Sequence, residues 1–355
     1  MLLRKYTLSL IILFFSFYSF AQIGGTGVYT FLQLPGTSHA SALGGTNVSV
    51  VSNEPSFLFQ NPALLSDSLT NIAFLATSKY FADVYYGTAA YTFKEKHIGS
   101  MLVGVQHVNY GSFDAFDELG NNTGSFKAAD YALYISASRS FADSNFSYGI
   151  TLKPVYSSYE AYHSWGLVAD AGVLYYNPKA LFSAGLVLKD FGYQFKSYYS
   201  DHHEPIDADL QLGLTKKLKH APLRISLTLM HLEHWNMAGY VKDEANADVL
   251  NADSSSNKRT NLDKWSDEFL RHVIVSTDFI LSKNFYVALG YNFQRRKELG
   301  TDTRMATTGL SWGFGLKIYR FQFHYARAAY NLAGASNMIS ISSRINDWYK
   351  KAEKL

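Results

Sequence analysis

The sequence predicts an all-β fold: a closed antiparallel outer-membrane β-barrel of about 14 strands with an N-terminal plug or hatch. Three observations predict it. Apolar residues alternate with small polar ones over segments of about ten residues, short and long connections follow each other in turn, and the polar face of the segments carries few charges. Together these features are typical of barrels that stand in a lipid bilayer rather than of soluble sheets.

The alternation is clearest near the C-terminus. From residue 285 to residue 293 every odd-numbered residue is large and apolar or aromatic, namely Phe285, Val287, Leu289, Tyr291 and Phe293. A period of two residues places these side chains on one face of a strand. By the same criterion we place fourteen strands at about 69–79, 84–94, 97–109, 125–141, 144–156, 164–177, 180–190, 206–217, 222–234, 269–282, 283–296, 305–318, 320–330 and 335–345.

The connections between these strands alternate in length. Tight turns, such as the one at 94–96, are separated by longer loops at 110–124, 157–163, 191–205, 235–268 and 297–304. Outer-membrane barrels have short periplasmic turns and longer extracellular loops. We expect the loop at about 235–268 to be extracellular, and we identify it as the candidate partner-binding loop through its aromatic residues Trp235, Tyr240 and Trp265.

The amino-acid composition indicates whether the strands face lipid or water, and it argues against one class of partner. Charged residues make up 17% of the chain, against roughly 25% in typical soluble domains. A soluble sandwich would expose a charged face, so an apolar face turned towards lipid explains the pattern better. A large soluble all-β protein with Tyr-rich strands is the alternative. A net charge of +3 over 355 residues gives no basis for nucleic-acid binding.

The N-terminus predicts export. Arg4 and Lys5 precede an apolar run that ends in Ser19-Phe20-Ala21, which is the pattern of a cleavable signal peptide. We therefore expect residues 1–21 to be removed and the mature chain to reach the bacterial outer membrane. The remaining divisions are a plug at 22–68, a transmembrane β-barrel at 69–346 and a C-terminal tail at 347–355.

The plug segment lacks clean alternation and is rich in Gly and Pro, so we expect it to fold compactly in the periplasmic mouth of the barrel. Gly44 and Gly45 would allow positive φ angles or a close approach to the barrel wall. Asn61 can fold its amide onto the local backbone, and Pro62 disfavours helix at the residue before it. The run Asn61, Pro62 and Ala63 therefore predicts a rigid corner where the plug turns into the first strand.

Motifs of the plug resemble known families. The run Ala42-Leu43-Gly44-Gly45, followed by Asn61-Pro62-Ala63, resembles the hatch of the long-chain fatty-acid transporter superfamily, whose members are fourteen-stranded outer-membrane barrels. The runs QIGG at 22–25, YTFLQLP at 29–35 and FQNPALL at 59–65 are more narrowly similar to the PorQ family. Members of that family are barrel subunits of the type IX secretion system.

The narrower resemblance implies a non-enzymatic role in the cargo attachment complex. It implies that the barrel tethers a PorZ-like surface protein near the PorU and PorV components, in contact with outer-membrane lipid and with lipopolysaccharide as a candidate ligand. The wider superfamily implies the alternative, an outer-membrane transporter for hydrophobic small molecules such as fatty acids. An apolar pocket joined to a lateral opening, for instance at a kink near Pro154, would favour transport. A continuous wall and a tight hatch would favour the scaffold.

Residues for chemistry are sparse, and we predict no catalytic, cofactor-binding or metal-binding site. His231 and His234 flank Glu233 at the end of a predicted strand, where they would share no face. An interfacial rim explains these residues better than a metal site, which needs its ligands to converge.

Overall fold

The computed structural model describes residues 27–80, 84–141, 145–199, 203–237, 261–299, 307–331 and 334–349. Its strands are β1 Ile72–Lys79, β2 Tyr85–Glu95, β3 Gly99–Phe116, β4 Asn122–Ser140, β5 Phe146–Tyr159, β6 Tyr162–Asn177, β7 Phe182–Lys196, β8 Asp209–Lys217, β9 Leu223–Leu229, β10 Val273–Ile280, β11 Phe285–Asn292, β12 Leu310–Ile318, β13 Phe321–Asn331 and β14 Gly334–Arg344. The predicted signal peptide at 1–21, the loop residue Tyr240 and the tail residues 350–355 lie outside the described residues.

The strands close into a single barrel in sequence order. Each pairs antiparallel with the strands before and after it, and β1 pairs with β14, with Ile72 opposite Arg344 and Lys79 opposite Asn337. Closure gives every strand two partners, so the ladder of backbone hydrogen bonds has no free edge. The predicted closed barrel of fourteen antiparallel strands is confirmed.

The outer face of the barrel wall is apolar, whereas its inner face carries small and polar residues together with apolar ones that pack against the plug, such as Phe74 and Tyr134. On β5 the outward residues Ile150 and Leu152 are 53% and 46% exposed, whereas the inward residues Thr151 and Lys153 are 2% and 1% exposed. The outward residues of β12 continue this belt: Leu310, Trp312, Phe314, Leu316 and Ile318. Water-soluble folds bury their large apolar side chains. The reversed arrangement is the one expected of a wall that faces lipid.

The β3–β4 hairpin is longer than the sequence predicted. We expected a loop at 110–124, but β3 continues to Phe116 and β4 begins at Asn122, so only a tight turn remains between them. Most residues of this extension are exposed, whichever face of the hairpin they occupy. Because neither face is buried, the extension has no apolar alternation from which a strand could be predicted.

The described residues form four helices: α1 Ser38–Ala42, α2 Asn261–Arg271, α3 Phe293–Leu299 and α4 Asn346–Tyr349. We assigned residues 269–271 and 293–296 to strands and read no helix in the loop at 235–268, and these assignments were wrong. The helices α2 and α3 are short and adjoin strands, so their local pattern merges with that of the strand. Within the described ranges, no helix has the length and hydropathy needed to cross a membrane.

Residues 27–71, which we call the plug, lie inside the barrel. The plug contains α1 and four 3₁₀ turns at Thr30–Gln33, Pro55–Phe57, Pro62–Leu64 and Asp67–Leu69. At the long-loop end Val28 N donates to Pro205 O at 3.0 Å, and at the short-turn end Ser100 Oγ donates to Asp67 Oδ1 at 2.7 Å. The plug therefore reaches both ends of the lumen, and our expectation that it sits in one mouth was wrong.

Candidate functional site

Inward hydroxyl and amide groups of the strands bind the plug backbone. Gln106 of β3 donates from Nε2 to Phe31 O at 3.1 Å, and Ser183 of β7 donates from Oγ to Ser49 O at 2.6 Å. Further bonds to the plug backbone come from Thr88, Thr92, Ser147 and Asn292. Ser164 Oγ of β6 bonds the hydroxyl of Tyr29 in the plug at 2.6 Å. Each such bond contributes about 1 kcal/mol. The small polar residues of the inward face therefore attach the plug around most of the circumference.

Gly44 and Gly45 follow the end of α1 and lie against the wall. Their φ angles are 98° and 102°. A Cβ atom at Gly44 would lie 2.5 Å from Ile274 Cγ2, and one at Gly45 would lie 2.1 Å from Arg295 Nη2. Both positions combine a left-handed backbone with a close approach, and only glycine meets both conditions without strain.

Asn61 forms a buried corner in the plug, and Pro62 begins the 3₁₀ turn that follows it. The Asn61 side chain accepts a hydrogen bond from Ala63 N at 3.0 Å and donates one to Val48 O at 2.9 Å. It thus joins two separate stretches of the plug. The corner does not lead directly into the first strand as we expected, because another turn intervenes before β1 begins at Ile72.

Glycines of the barrel wall lie opposite the Asn61 corner. Gly149 of β5 and Gly172 of β6 are directly paired. A Cβ atom at Gly172 would lie 2.1 Å from Asn61 Oδ1, and one at Gly149 would lie 2.6 Å from the carbonyl carbon of Pro62. The wall lacks side chains where the plug comes closest, so the fit depends on these glycines.

His39 of α1 is the central buried group between plug and wall. Its side chain is fully buried; Nδ1 contacts Glu54 Oε1, and Nε2 lies 2.8 Å from Asp278 Oδ1 on β10. The imidazole also stacks on Tyr286 of β11, with ring centroids 4.2 Å apart. Arg224 of β9 contacts the other Asp278 oxygen at 2.8 Å. The plug is thereby joined to three neighbouring strands by one charged network.

The two plug members of this network have shifted pKa values. Burial alone would lower the pKa of His39, but the carboxylates of Glu54 and Asp278 raise it above its ordinary 6.5. Burial alone would raise the pKa of Glu54, but the imidazoles of His324 and His39 hold it at about 2, below its ordinary 4.5. Both shifts favour the charged forms, a protonated His39 and an ionised Glu54, which together make a buried ion pair.

A second charged cluster lies behind an irregularity in the wall. Lys153 Nζ lies 2.6 Å from Asp170 Oδ1 and also contacts Asp190 Oδ1, and all three side chains are buried. Pro154, where we considered a lateral opening, faces outward beside Lys153, and its strand lacks pairing with β4 at this level. The charged cluster occupies the inner side of this irregularity.

Cavities lie on both sides of the plug. Two of about 890 Å³ and 350 Å³ lie at the short-turn end, and one of about 240 Å³ lies towards the long loops. Polar and charged residues outnumber apolar ones around each of them, including Glu54, Arg224 and Lys317 in the 890 Å³ cavity, although apolar atoms form slightly more than half of the surface of that cavity. Hydrophobic ligands favour pockets lined predominantly by apolar and aromatic residues, and such residues do not predominate in any of these three linings.

The long connection between β9 and β10 brings together two of the three aromatic residues predicted for partner binding. Trp235 stacks on His272 with ring centroids 5.0 Å apart, and Trp265 of α2 stacks on Phe269 with centroids 5.5 Å apart. The centroids of Trp235 and Phe269 are 6.4 Å apart. Trp235 and Trp265 remain 46% and 54% exposed. We call Trp235, Trp265 and Phe269 the aromatic platform.

Sequence reasoning missed the charged network around His39. Its members are distant in the chain: His39 and Asp278 are 239 positions apart. One signal was present: Arg224 and Asp278 are charged residues within strands, among inward neighbours that are mostly Ser, Thr or Gly. A charge in a membrane-spanning strand calls for a partner inside the barrel, but the sequence does not show which residue that is.

Comparisons of sequence identify no relative: no protein-family model matches the chain, and no curated protein matches it. Solved structures do match. The CymD monoaromatic hydrocarbon channel is 10% identical with a TM-score of 0.52, over 88% of this chain and 98% of its own. The Ralstonia pickettii toluene transporter TbuX is 11% identical with a TM-score of 0.51, over 89% of this chain and 100% of its own. A Pseudomonas aeruginosa FadL homologue is 11% identical with a TM-score of 0.47, over 86% of this chain and 97% of its own.

This chain has the fold of the hydrocarbon-channel outer-membrane barrels. The comparisons confirm the barrel fold that the predicted resemblance implied. At 10% and 11% identity the likeness carries no residue of a binding site from one protein to the other. CymD is named as a channel and TbuX as a transporter.

Proposed function

We propose that this chain is a plugged barrel of the bacterial outer membrane that holds a surface protein, as a non-enzymatic subunit of the type IX secretion system. The outward apolar belt and the shared fold support the membrane location. The runs at 22–25, 29–35 and 59–65 support the secretion system, because they resemble the PorQ family. The proposed partner is a PorZ-like protein of the attachment complex with PorU and PorV.

The fixed plug is the observation that carries the scaffold proposal. Side chains from most of the strands bind it, and the His39 network fastens it with buried charges. Releasing the plug would separate His39 from Asp278 and leave this carboxylate in the wall without the imidazolium, which costs several kcal/mol. A barrel so filled is better suited to present its outer loops than to pass a solute. The exposed aromatic platform supplies a surface of the kind that anchors protein partners.

Transport of hydrophobic small molecules is the second candidate, and the structural comparisons favour it over the scaffold. CymD is named as a monoaromatic hydrocarbon channel and TbuX as a toluene transporter, and both share this fold over nearly their whole lengths. The number of polar and charged residues around the cavities is the observation that weighs against it.

Affinity purification from the native membrane tests the scaffold proposal. We would tag the C-terminus, extract the protein in mild detergent and identify co-purified proteins, comparing wild type with Trp235→Ala/Trp265→Ala. Trp348→Ala, which removes a 42% exposed tryptophan at the short-turn end, is the matched control. We expect the wild type and the control to recover a surface protein of the attachment complex, and the double variant to lose it.

Deletion of the gene separates the two functions. The scaffold proposal requires that cargo normally attached to the cell surface appears in the medium, and that uptake of radiolabelled toluene or fatty acid is unchanged. Normal cargo attachment together with reduced uptake would overturn the scaffold in favour of transport. Re-expression of the wild type should restore whichever property is lost.

A further inference from the structure

A histidine and two carboxylates meet at the long-loop side of the lumen, apart from the His39 network. Asp209 begins β8, and His231 and Glu233 follow the end of β9, its neighbour in the barrel. His231 has a φ of 54°, which turns the chain, and Leu232 N then bonds Leu210 O at 3.1 Å. This turn brings residues 231 and 233 beside Asp209. The arrangement could not be predicted from an undistorted strand.

Backbone amides hold the two carboxylates in place. His231 N donates to Asp209 Oδ1 at 2.7 Å, and Leu210 N donates to Glu233 Oε2 at 2.6 Å. His231 Nδ1 lies 3.6 Å from Asp209 Oδ1 and 3.6 Å from Glu233 Oε1. These separations are too long for good hydrogen bonds. In a tetrahedral zinc site with metal–ligand bonds of about 2.1 Å, two ligand atoms are about 3.4 Å apart, which is close to these separations.

Two buried oxygen atoms near the cluster have no hydrogen-bond donor. They are Glu233 Oε1 and Gln211 Oε1. Gln211 is 3% exposed, and its Nε2 donates to Asp209 Oδ2, which holds the amide beside the cluster. Gln211, Asp209 and His231 line the same cavity of about 240 Å³. Buried acceptors without donors are rare, and a bound cation would supply the missing partner of both oxygens.

The charges around the cavity limit the kind of ligand. Asp190 and Glu298 line it together with Asp209, but Lys189 and Arg295 line it as well. The positive charges of Lys189 and Arg295 would weaken the binding of a cation that is attracted only by the overall negative charge of the cavity. A cation that bonds directly to nitrogen and oxygen ligands does not depend on that overall charge. One imidazole with two carboxylates is a ligand set that suits Zn²⁺.

We propose that Asp209, His231 and Glu233 form a zinc site, with the Gln211 amide oxygen as an additional ligand. The site joins the beginning of the β9–β10 connection, which carries Trp235, to the first residue of β8. Bound zinc therefore fixes the base of the connection that presents the aromatic platform. The site stands on its own geometry, and it holds whether the barrel is a scaffold or a transporter.

Zinc binding to the full-length mature protein in detergent tests the site. After treatment with EDTA and buffer exchange, we would titrate Zn²⁺ against a fluorescent zinc indicator for the wild type, His231→Ala, Glu233→Gln and His234→Ala. We expect one zinc per chain in the wild type. The first two variants should bind it about tenfold more weakly or worse. His234→Ala, which removes a histidine from the same connection, should bind it like the wild type.

A second measurement needs no variant and guards against misfolding. Co²⁺ added to the metal-free wild-type protein should give visible d–d absorption, which EDTA abolishes and one equivalent of Zn²⁺ displaces. Circular dichroism checks that each variant is folded. Equal zinc affinity in the wild type and in folded His231→Ala, or no saturable site in the wild type, would overturn the proposal.

Discussion

His39 and Asp278 are joined at 2.8 Å between Nε2 and Oδ1, across the boundary between the plug and strand β10. Both side chains are fully buried, and the second His39 nitrogen contacts Glu54 within the plug. The imidazolium therefore lies between two carboxylates, one from each part of the molecule. This relationship makes the plug a fixed part of the wall rather than a separate domain in a channel.

Replacing His39 by alanine should loosen the plug. The change leaves the carboxylates of Glu54 and Asp278 buried without their shared cation, which costs about 3–5 kcal/mol. We expect a lower free energy of unfolding in detergent and faster cleavage of the plug by protease. Denaturant titration and timed proteolysis measure the two effects.

The control for this variant is His97→Ala, which removes an exposed histidine from the turn between β2 and β3. It should change the free energy of unfolding by less than about 0.5 kcal/mol. If both variants behaved alike, the buried network would not be what holds the plug.

The attachment of the plug should depend on pH in a defined direction. The pKa of His39 is raised above 6.5, so its contribution is fully present below pH 6.5 and is lost as the pH rises through the pKa in the folded protein. The pKa of Glu54 is about 2 instead of 4.5, so its contribution is fully present above pH 4.5 and is lost as the pH falls through 2. Both contributions are complete between pH 4.5 and 6.5.

The comparison with His39→Gln isolates this effect, because glutamine keeps hydrogen-bonding groups but never carries the charge. The difference in free energy of unfolding between the wild type and His39→Gln should be largest inside this interval and smaller at alkaline pH. Denaturant titrations at several pH values measure it. A difference that stayed constant from acid to alkaline pH would contradict a charged His39.

The sequence predicted the barrel better than its contents. The fourteen strands and their closure were predicted from the period of two, because every strand that faces lipid carries its apolar residues on one face. The corner at Asn61 and the glycines after α1 followed from local backbone chemistry. The His39–Asp278 contact did not, because it joins residues 239 positions apart. The cluster of Asp209, His231 and Glu233 depends on a turn at the end of β9, and the alternation of apolar residues does not reveal such a turn.

Adding a methyl group at Gly172 should disturb the contact between the plug and strand β6. Its Cβ atom would lie 2.1 Å from Asn61 Oδ1, and this oxygen is held by Ala63 N. We expect Gly172→Ala to lower the free energy of unfolding by about 1–3 kcal/mol. Ala171→Val adds more atoms to the adjacent residue, but on the exposed outer face of the same strand, and it should be nearly neutral. A neutral Gly172→Ala would mean that the plug can shift away from β6 at little cost.

A charged residue introduced on the apolar outer face tests directly whether lipid or water surrounds the barrel. Leu152 lies near the middle of β5, faces outward and is 46% exposed. If lipid surrounds it, Leu152→Arg should cost about 2–4 kcal/mol of folding free energy in phospholipid vesicles. Leu119 is 87% exposed in the turn of the β3–β4 hairpin, beyond the wall, so Leu119→Arg should cost less than about 0.5 kcal/mol. Equal and small costs at both positions would place water against β5, and the membrane location of the barrel would then be wrong.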